Sequence, residues 1–242
     1  MYNNCMSLAD DIYYTLRNRI LRGELPPGTA LREEYLSEEL RVSRTPLRKA
    51  LTQLTAEGYL VKGRDRTLRI PQISESELID TLEARKLVEI ASVQKAALRA
   101  APEDVERLEH FIWDEEEAMK MHDSVLVSSI DRMFHNYLGQ MSGNGVFYDF
   151  IGQLGYKVSL FLALSDTLGD VISEALKEHR DILQAIKLKM PDSAAAAMKA
   201  HLDNVERRIL ESVKRREERR ESVAEALPRQ KRRNKRRAAK AK

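Results

Sequence analysis

The segment from residue 74 to about residue 226 most constrains the fold, because its apolar residues recur at helical spacing and it holds few glycines. Such spacing gives each helix an apolar stripe that has to be buried against other helices. Pro102 and Pro191 stand at two expected helix starts, where a missing N–H group costs nothing. Residues 74–227 are therefore predicted to form an all-helical domain. The expected helices lie near residues 75–100, 103–121, 123–141, 145–164, 169–189 and 192–220.

Residues 1–73 have a different pattern, in which short helices are separated by glycine and proline and are followed by two strands. Ser43 has the side chain of a helix N-cap, and Pro46 falls in the first turn of the helix that it opens. The order of three helices and then two strands is that of a winged helix-turn-helix, a DNA-binding domain. The predicted elements are helices over Leu8–Leu21 and Arg32–Leu40, a third helix between Ser43 and Gly58, and strands over Tyr59–Lys62 and Leu68–Ile70.

The charges of the chain fall into three segments that its net charge of +3 conceals. Residues 1–73 hold 12 Lys/Arg and 9 Asp/Glu, residues 74–227 hold 20 and 29, and residues 228–242 hold 9 basic residues and no acid. Phosphate attracts the two ends and repels the middle, so nucleic-acid contact is expected at the ends. The last segment lacks apolar residues able to anchor a core and is predicted to be a disordered basic tail. It is expected either to add nonspecific DNA affinity or to be inert.

Cysteine usage and the absence of an apolar run predict a cytoplasmic protein. The single cysteine, Cys5, can form no internal disulfide. No run of 18 or more apolar residues could span a membrane, and the first residues lack the basic-then-apolar order of a secretory signal.

The N-terminal end of the third helix carries the residues expected to read DNA. In a helix-turn-helix the second helix of the pair enters the major groove with that end. Here it presents Ser43, Arg44, Thr45 and Arg48, with the two arginines on the face opposite the apolar residues. A guanidinium matches guanine O6/N7 or phosphate, and hydroxyls match phosphate. The alternative is that these arginines only form a solvated face.

A longer stretch of sequence around this helix resembles the GntR family of bacterial transcription regulators. It is the string Val42-Ser43-Arg44-Thr45-Pro46-Leu47-Arg48-Lys49-Ala50-Leu51, preceded by Gly28–Leu31 and followed by Glu57-Gly58-Tyr59-Leu60. The resemblance covers about residues 8–71. It favours DNA reading over the solvated face. Pro46, within the matching string, and Lys49, which adds a positive charge near the DNA, are also expected to belong to the DNA contact.

The loop between the two strands is expected to act as the wing, whose tip carries Arg64 and Arg66 near the minor groove or the backbone. This chain departs from the family at three places. Lys49 stands where the family usually has glutamate, Glu34 stands where some members have a basic residue, and Arg66-Thr67 replaces the usual Arg-Gly pair.

Three histidines and one aspartate of the helical segment have the residue types and spacing of a metal site. Asp131 and His135 are four residues apart, so they project from one face of a helix. His179 and His201 lie on two further helices, and ligands from facing helices can converge inside a bundle. Three imidazoles and a carboxylate suit a divalent metal such as zinc, nickel, manganese or iron. Each histidine taken alone is more simply explained as a core or surface residue.

The helical segment also resembles the FCD ligand-binding domain, an antiparallel helical bundle. The matching strings are Asp131-Arg132-Met133-Phe134-His135, Glu178-His179-Arg180 and Ala200-His201-Leu202. The resemblance implies a homodimer, a metal held by the four residues above, and a small carboxylate effector. It places Arg85 opposite the effector carboxylate and Asn144 near the effector. An exposed helical arginine and a helix C-cap are the alternatives for these two residues.

We therefore expect a transcription regulator, a repressor, whose affinity for operator DNA is controlled by a carboxylate metabolite at the metal site. Two alternatives remain open at this stage. One is a metal-dependent, hydrolase-like enzyme fused to a DNA-binding domain, since a histidine-bound metal can activate water. The other is a constitutive DNA binder whose histidines are structural.

Overall fold

The N-terminal domain of the computed structural model, which describes residues 7–164 and 174–240, is a winged helix-turn-helix. Its antiparallel sheet has the strand order β1-β3-β2, with Ala30 opposite Arg69 and Lys62 opposite Leu68. The sequence did not predict β1, because two residues are too short to show an alternation. The elements are α1 Leu8–Leu21, β1 Ala30–Leu31, α2 Glu33–Glu39, α3 Arg44–Ala56, β2 Val61–Lys62 and β3 Leu68–Arg69.

The core of this domain lies between α1 and α3. Leu16 and Ile20 of α1 and Leu47 and Leu54 of α3 are fully buried, as their helical spacing predicts. Helix α1 begins at a capping box, in which Ser7 and Asp10 satisfy each other's backbone N–H groups.

The wing closes without the glycine that the resemblance calls for. The N–H of Gly63 donates to the carbonyl of Thr67 at 2.8 Å, and the N–H of Arg66 donates to the carbonyl of Gly63 at 2.9 Å. Arg66 itself takes the left-handed conformation, with φ of 64°. The Asp65 carboxylate braces the turn, because it accepts from the Thr67 N–H and from Arg69. The turn is therefore built, but a side chain occupies the position that favours glycine.

The second domain is a helical bundle arranged around α4, which contacts α6, α7, α8 and α9. Its helices pack through small and branched residues, with Val93, Ala96 and Ala97 of α4 completely buried. No helix of the described residues is long and apolar enough to cross a membrane. The helices are α4 Glu75–Arg99, α5 Pro102–Lys120, α6 Ser124–Met141, α7 Gly145–Leu164, α8 Ala175–Lys187 and α9 Pro191–Lys240.

The helix boundaries expected from the sequence agree with the structure to within a few residues up to α7. The first part of the helix expected over 169–189 lies outside the described residues.

The end of the chain differs from the expectation. Helix α9 continues through Lys240, so residues 228–240, expected to be disordered, are helical here. Lysine, arginine and alanine are strong helix formers, and the segment contains no glycine to stop the helix.

Polar contacts join the two domains where α1 packs on α7. The hydroxyls of Tyr13 and Tyr156 each donate to Glu57 Oε2 at 2.5 Å. Arg17, buried in the same interface, donates to the hydroxyls of Tyr59 and Ser129. Glu57 is the C-cap residue of α3, so the far end of this helix is tied to α7 of the bundle.

Replacing Arg66 with glycine should stabilise the protein. The substitution removes the steric penalty of a left-handed side chain, partly offset by the greater freedom of glycine in the unfolded chain. We expect a gain of about 0.5–1 kcal/mol in the free energy of unfolding, measured by urea denaturation. Arg64→Gly, at a neighbouring wing position outside the left-handed region, is the control and should give no gain. An equal change in both variants would contradict the assignment.

Candidate functional site

Three histidines from three helices converge inside the bundle together with Asp131. His135 of α6, His179 of α8 and His201 of α9 are each at most 2% exposed. The Nε2 atoms of His135 and His201 lie 3.2 Å apart. Asp131 Oδ1 lies 3.7 Å from His135 Nε2 and 3.6 Å from His179 Nε2. The structure thus brings together the four residues that the sequence singled out as metal ligands.

Each histidine turns Nε2 towards this centre because a carboxylate occupies its other side. His179 Nδ1 contacts Glu115 at 2.8 Å, and His201 Nδ1 contacts Glu178 at 2.8 Å. His135 Nδ1 lies 2.5 Å from Glu89 Oε2. A carboxylate at Nδ1 favours the tautomer that carries its proton there, which leaves the Nε2 lone pair facing inward.

Glu89 and Glu115 were missed by the sequence reasoning, although both are 1% exposed. Glu89 has a local signal, since it lies one turn after Arg85 on α4 and pairs with it. Glu115 has none, because only the packing of α5 against α8 brings it to His179.

Burial and charge act in opposite directions on the ionisable groups of this cluster. Burial and the neighbouring histidines lower the pKa of His201 to about 3, although Glu178 opposes this. Burial also disfavours the charged form of His179, but Glu115 and Asp131 outweigh it and raise the pKa of this histidine. Despite its burial, Asp131 has a lowered pKa because the histidines and Arg85 stabilise its charge. When no cation occupies the centre, the surrounding carboxylates therefore favour the protonated, positively charged form of His179.

The geometry of the cluster fits a divalent metal. His179 Nε2 is buried and has no hydrogen-bond partner among the described residues. One ring nitrogen from each of the three histidines lies within 4.8 Å of those of the other two. Ligand atoms about 2.1 Å from a common ion stand roughly 3.0–3.4 Å apart, close to the separations of 3.2–3.7 Å seen here. Asp131, His135, His179 and His201 would hold such an ion.

Arg85 is buried beside the cluster, at 4% exposure, so it is not the solvated helical arginine of the alternative interpretation. Its Nε donates to Glu89 Oε1 at 2.5 Å. It lines two small cavities, of about 40 and 100 Å³, that also share Gly155. The first cavity is bounded by Asp131 and His201, and the second by His135. Arg85 therefore lines the space in which a small molecule would bind beside the candidate metal-binding residues.

Asn144 has a different place from the one expected. Its Oδ1 accepts from the N–H groups of Val146 and Phe147, at 3.1 and 3.4 Å, so it caps the start of α7. It lines neither cavity. Its acceptor oxygen thus serves the free N–H groups of a helix start, and the effector role expected for it stays a prediction. The C-cap alternative is wrong, since Ser142 is the C-cap of α6 and Asn144 caps the helix that follows it.

The DNA-reading residues expected from the sequence lie at the start of α3 and at the wing tip. Ser43 holds the N-cap position, but its side chain makes no capping hydrogen bond. Glutamates of α2 pair with the two arginines: Arg48 Nε lies 2.7 Å from Glu33, and Arg44 lies 3.7 Å from Glu34. These pairs are solvent-accessible and can be exchanged for phosphate or base contacts. The exposed residues are Ser43, Arg44, Thr45, Arg48, Lys49, Arg64 and Arg66, and Pro46 is half-buried.

Comparison with known proteins gives the same two-part division. Residues 8–67 match the gntR family of bacterial regulatory proteins, and residues 80–204 match the FCD domain. The chain is 27% identical to the Nta operon transcriptional regulator of Aminobacter aminovorans, over 78% of this chain and 88% of that protein. It is 25% identical to the transcriptional repressor RspR of Escherichia coli K12, over 84% and 89%.

Solved structures share the fold. A GntR regulator from Rhodococcus sp. RHA1 has a TM-score of 0.69 at 21% identity, covering 85% of this chain and 98% of that one. Escherichia coli McbR/YncC has a TM-score of 0.68 at 19% identity, covering 87% and 99%. The matching families and the relatives are transcription regulators, not enzymes. The chain belongs to the GntR family, with an FCD domain after its helix-turn-helix, and is a DNA-binding transcription regulator.

Proposed function

We propose that this regulator is a repressor whose operator affinity is controlled by a small carboxylate metabolite bound at a divalent metal, zinc being the best fit. The observation that carries the proposal is the inward-facing trio of histidines with Asp131, each histidine held by an outer carboxylate. An ion held by these four residues in octahedral coordination would keep two positions open, and a carboxylate could fill them. The repressor role follows the relative RspR, which is named a transcriptional repressor.

Arg85 would orient the carboxylate from the protein side. Its guanidinium lines both cavities, and a guanidinium pairs with a carboxylate in a planar, two-point contact. Glu89 fixes the Nε of Arg85 and lies against His135, so one buried carboxylate positions both the arginine and a metal ligand. Binding of metal and effector would then be coupled through α4.

The protein is also proposed to act as a homodimer through its helical domain, because a helix-turn-helix reads a short half-site and pairs to read two. Large apolar side chains on the outside of that domain support this, among them Leu87, Leu98 and Trp113, which are 60–72% exposed.

The basic segment 228–242 is proposed to add nonspecific affinity for the phosphate backbone.

The overall test is the affinity for operator DNA with and without the bound components. A duplex enriched from a random pool by the purified protein serves as the operator. Its dissociation constant is measured for the metal-loaded protein, for the chelated protein, and for the metal-loaded protein with a panel of small carboxylates. The proposal expects at least one carboxylate to weaken binding severalfold, and only when metal is present. Equal affinities under all conditions would leave a constitutive DNA binder.

Metal analysis of purified variants tests the centre itself. The wild-type protein should hold about one divalent ion per chain by mass spectrometry, and His179→Ala should lose it. Glu115→Gln should weaken the metal affinity by about 10–100-fold, because the histidine loses its orienting carboxylate. His110→Ala, an exposed histidine of α5, is the matched control and should keep full occupancy. Full occupancy in His179→Ala would refute the metal centre.

Operator binding tests the contacts of α3 and the effect of its glutamate partners. Arg48→Ala should weaken binding by about 10–100-fold if its fork reads a guanine. Glu33→Gln should strengthen binding severalfold, since it releases Arg48 from an ion pair. The same titration should give two chains per duplex.

Glu38→Gln is the control for that experiment. It removes the same charge from α2 at an exposed position that contacts neither arginine. If Glu33→Gln and Glu38→Gln strengthen binding equally, only the general charge matters and the specific pairing has no effect.

The contact between Tyr156 and Glu57 should carry the response from the bundle to α3. Burial and the Glu57 carboxylate raise the pKa of Tyr13 and Tyr156, so both phenols stay protonated and donate. Tyr156→Phe keeps the ring against Tyr59 and removes one donor to Glu57. We expect unchanged metal content and, in the metal-loaded variant, a smaller loss of operator affinity on adding the effective carboxylate than in the wild-type protein. If the operator affinity of Tyr156→Phe changes as much as that of the wild-type protein, the contact between Tyr156 and Glu57 does not couple the two domains.

A further inference from the structure

The larger of the two cavities beside Arg85 carries polar groups that the metal centre does not use. Its volume is about 100 Å³, enough for more than one water-sized group. It starts at Arg85 and His135 and extends along α6 and α7 to Arg132, Asn136 and Tyr156. It therefore leads away from the metal ligands towards the domain interface.

Two polar atoms at the far end of this cavity lack partners. Arg132 Nε and Asn136 Oδ1 are both buried, and neither has a hydrogen-bond partner among the described residues. Buried donors and acceptors without partners are rare in folded proteins and call for an explanation. A donor and an acceptor on consecutive turns of α6, lining one cavity, are what a polar ligand would satisfy together.

The charges along the cavity also differ between its two ends. At the near end, the Arg85 guanidinium is neutralised by Glu89 at 2.5 Å. At the far end, Arg132 has no ion pair within the part of the chain that the structure describes, and its guanidinium carbon lies 4.2 Å from the centre of the Tyr156 ring. A partly buried cation without a counter-ion attracts an anion strongly, because little water remains to solvate it.

We propose that this cavity is a second anion subsite and that the effector is a hydroxylated dicarboxylate. One carboxylate lies at the metal and Arg85, and the second lies against Arg132. A hydroxyl of the ligand donates to Asn136 Oδ1. This inference rests on the proposed function for the binding of the first carboxylate. It adds that the effector has a second carboxylate, which Arg132 binds, and a hydroxyl, which Asn136 binds.

Calorimetry with matched ligands tests the second subsite on the metal-loaded full-length protein. The probes are hydroxylated dicarboxylates of three to six carbons, each paired with the monocarboxylate in which the distal carboxyl is a methyl group. Malate and 2-hydroxybutyrate form one such pair. At one chain length or more, the dicarboxylate should bind at least tenfold more tightly than its monocarboxylate. Equal affinities at every length would overturn the proposal.

Two variants assign the preference to named residues. Arg132→Gln keeps a polar chain of similar reach but removes the charge, and it should abolish the tenfold preference while leaving monocarboxylate binding in place. Asn136→Asp, nearly isosteric, should weaken dicarboxylate binding by a similar factor through repulsion. Retention of the preference in both variants would refute the subsite.

Matched controls separate this effect from general changes of charge and packing. Arg107→Gln removes an exposed arginine that lies over Phe111 on α5, and Gln140→Glu adds a charge at an exposed position of α6. Both should retain the dicarboxylate preference, and its loss in either control would overturn the assignment to the cavity.

The two proposals fail in different ways. Monocarboxylate binding that disappears on chelation, without any gain from a second carboxyl, would overturn the second subsite alone. Absence of binding by both classes of acid would overturn the subsite together with the proposed function.

Discussion

The balance of buried charge around the three histidines is the constraint on which the helical domain depends. Four carboxylates surround the centre, and two arginines neutralise two of them: Arg85 pairs with Glu89, and Arg208 holds Glu178 through both oxygens at 2.8 and 2.9 Å. Within the described residues, Asp131 and Glu115 form no ion pair with an arginine or lysine and contact histidines instead, although Arg85 also stabilises the charge of Asp131 from nearby. Two carboxylates balanced mainly by histidines in a poorly solvated interior are unfavourable, and a divalent cation would neutralise both.

This balance also explains the arrangement of the helices. Helix α4 contributes Arg85 and Glu89 to the cluster and contacts α6, α8 and α9, the helices that carry the histidines. Helix α5 reaches the centre through Glu115 alone. Charged groups from five helices therefore meet in one small volume. A change of charge at this centre affects the contacts of all five helices.

Local patterns in the sequence predicted which residues come together inside the helical domain, but not what surrounds them. Asp131 and His135 are four residues apart on one helix, and His179 and His201 followed from short family strings. Glu115 could not be found in this way, because it reaches His179 only across a helix interface. The C-cap alternative for Asn144 was wrong because an Asn-Gly-containing junction fits a helix end as well as a helix start. The same limit applies to the wing, where only the backbone shows that Arg66 takes the glycine conformation.

The ion pairs between α2 and α3 have a consequence for how the protein searches DNA. In the proposed complex with DNA, Arg44 and Arg48 would reach the duplex already paired with Glu34 and Glu33, so binding would exchange one partner for another. Fewer condensed counterions would then be released from the phosphates, which lowers affinity for arbitrary sequence. A base edge that offers two acceptors in the right geometry would still compete with the glutamates. Under this proposal, the acidic face of α2 shortens the residence time on random DNA more than that on the operator.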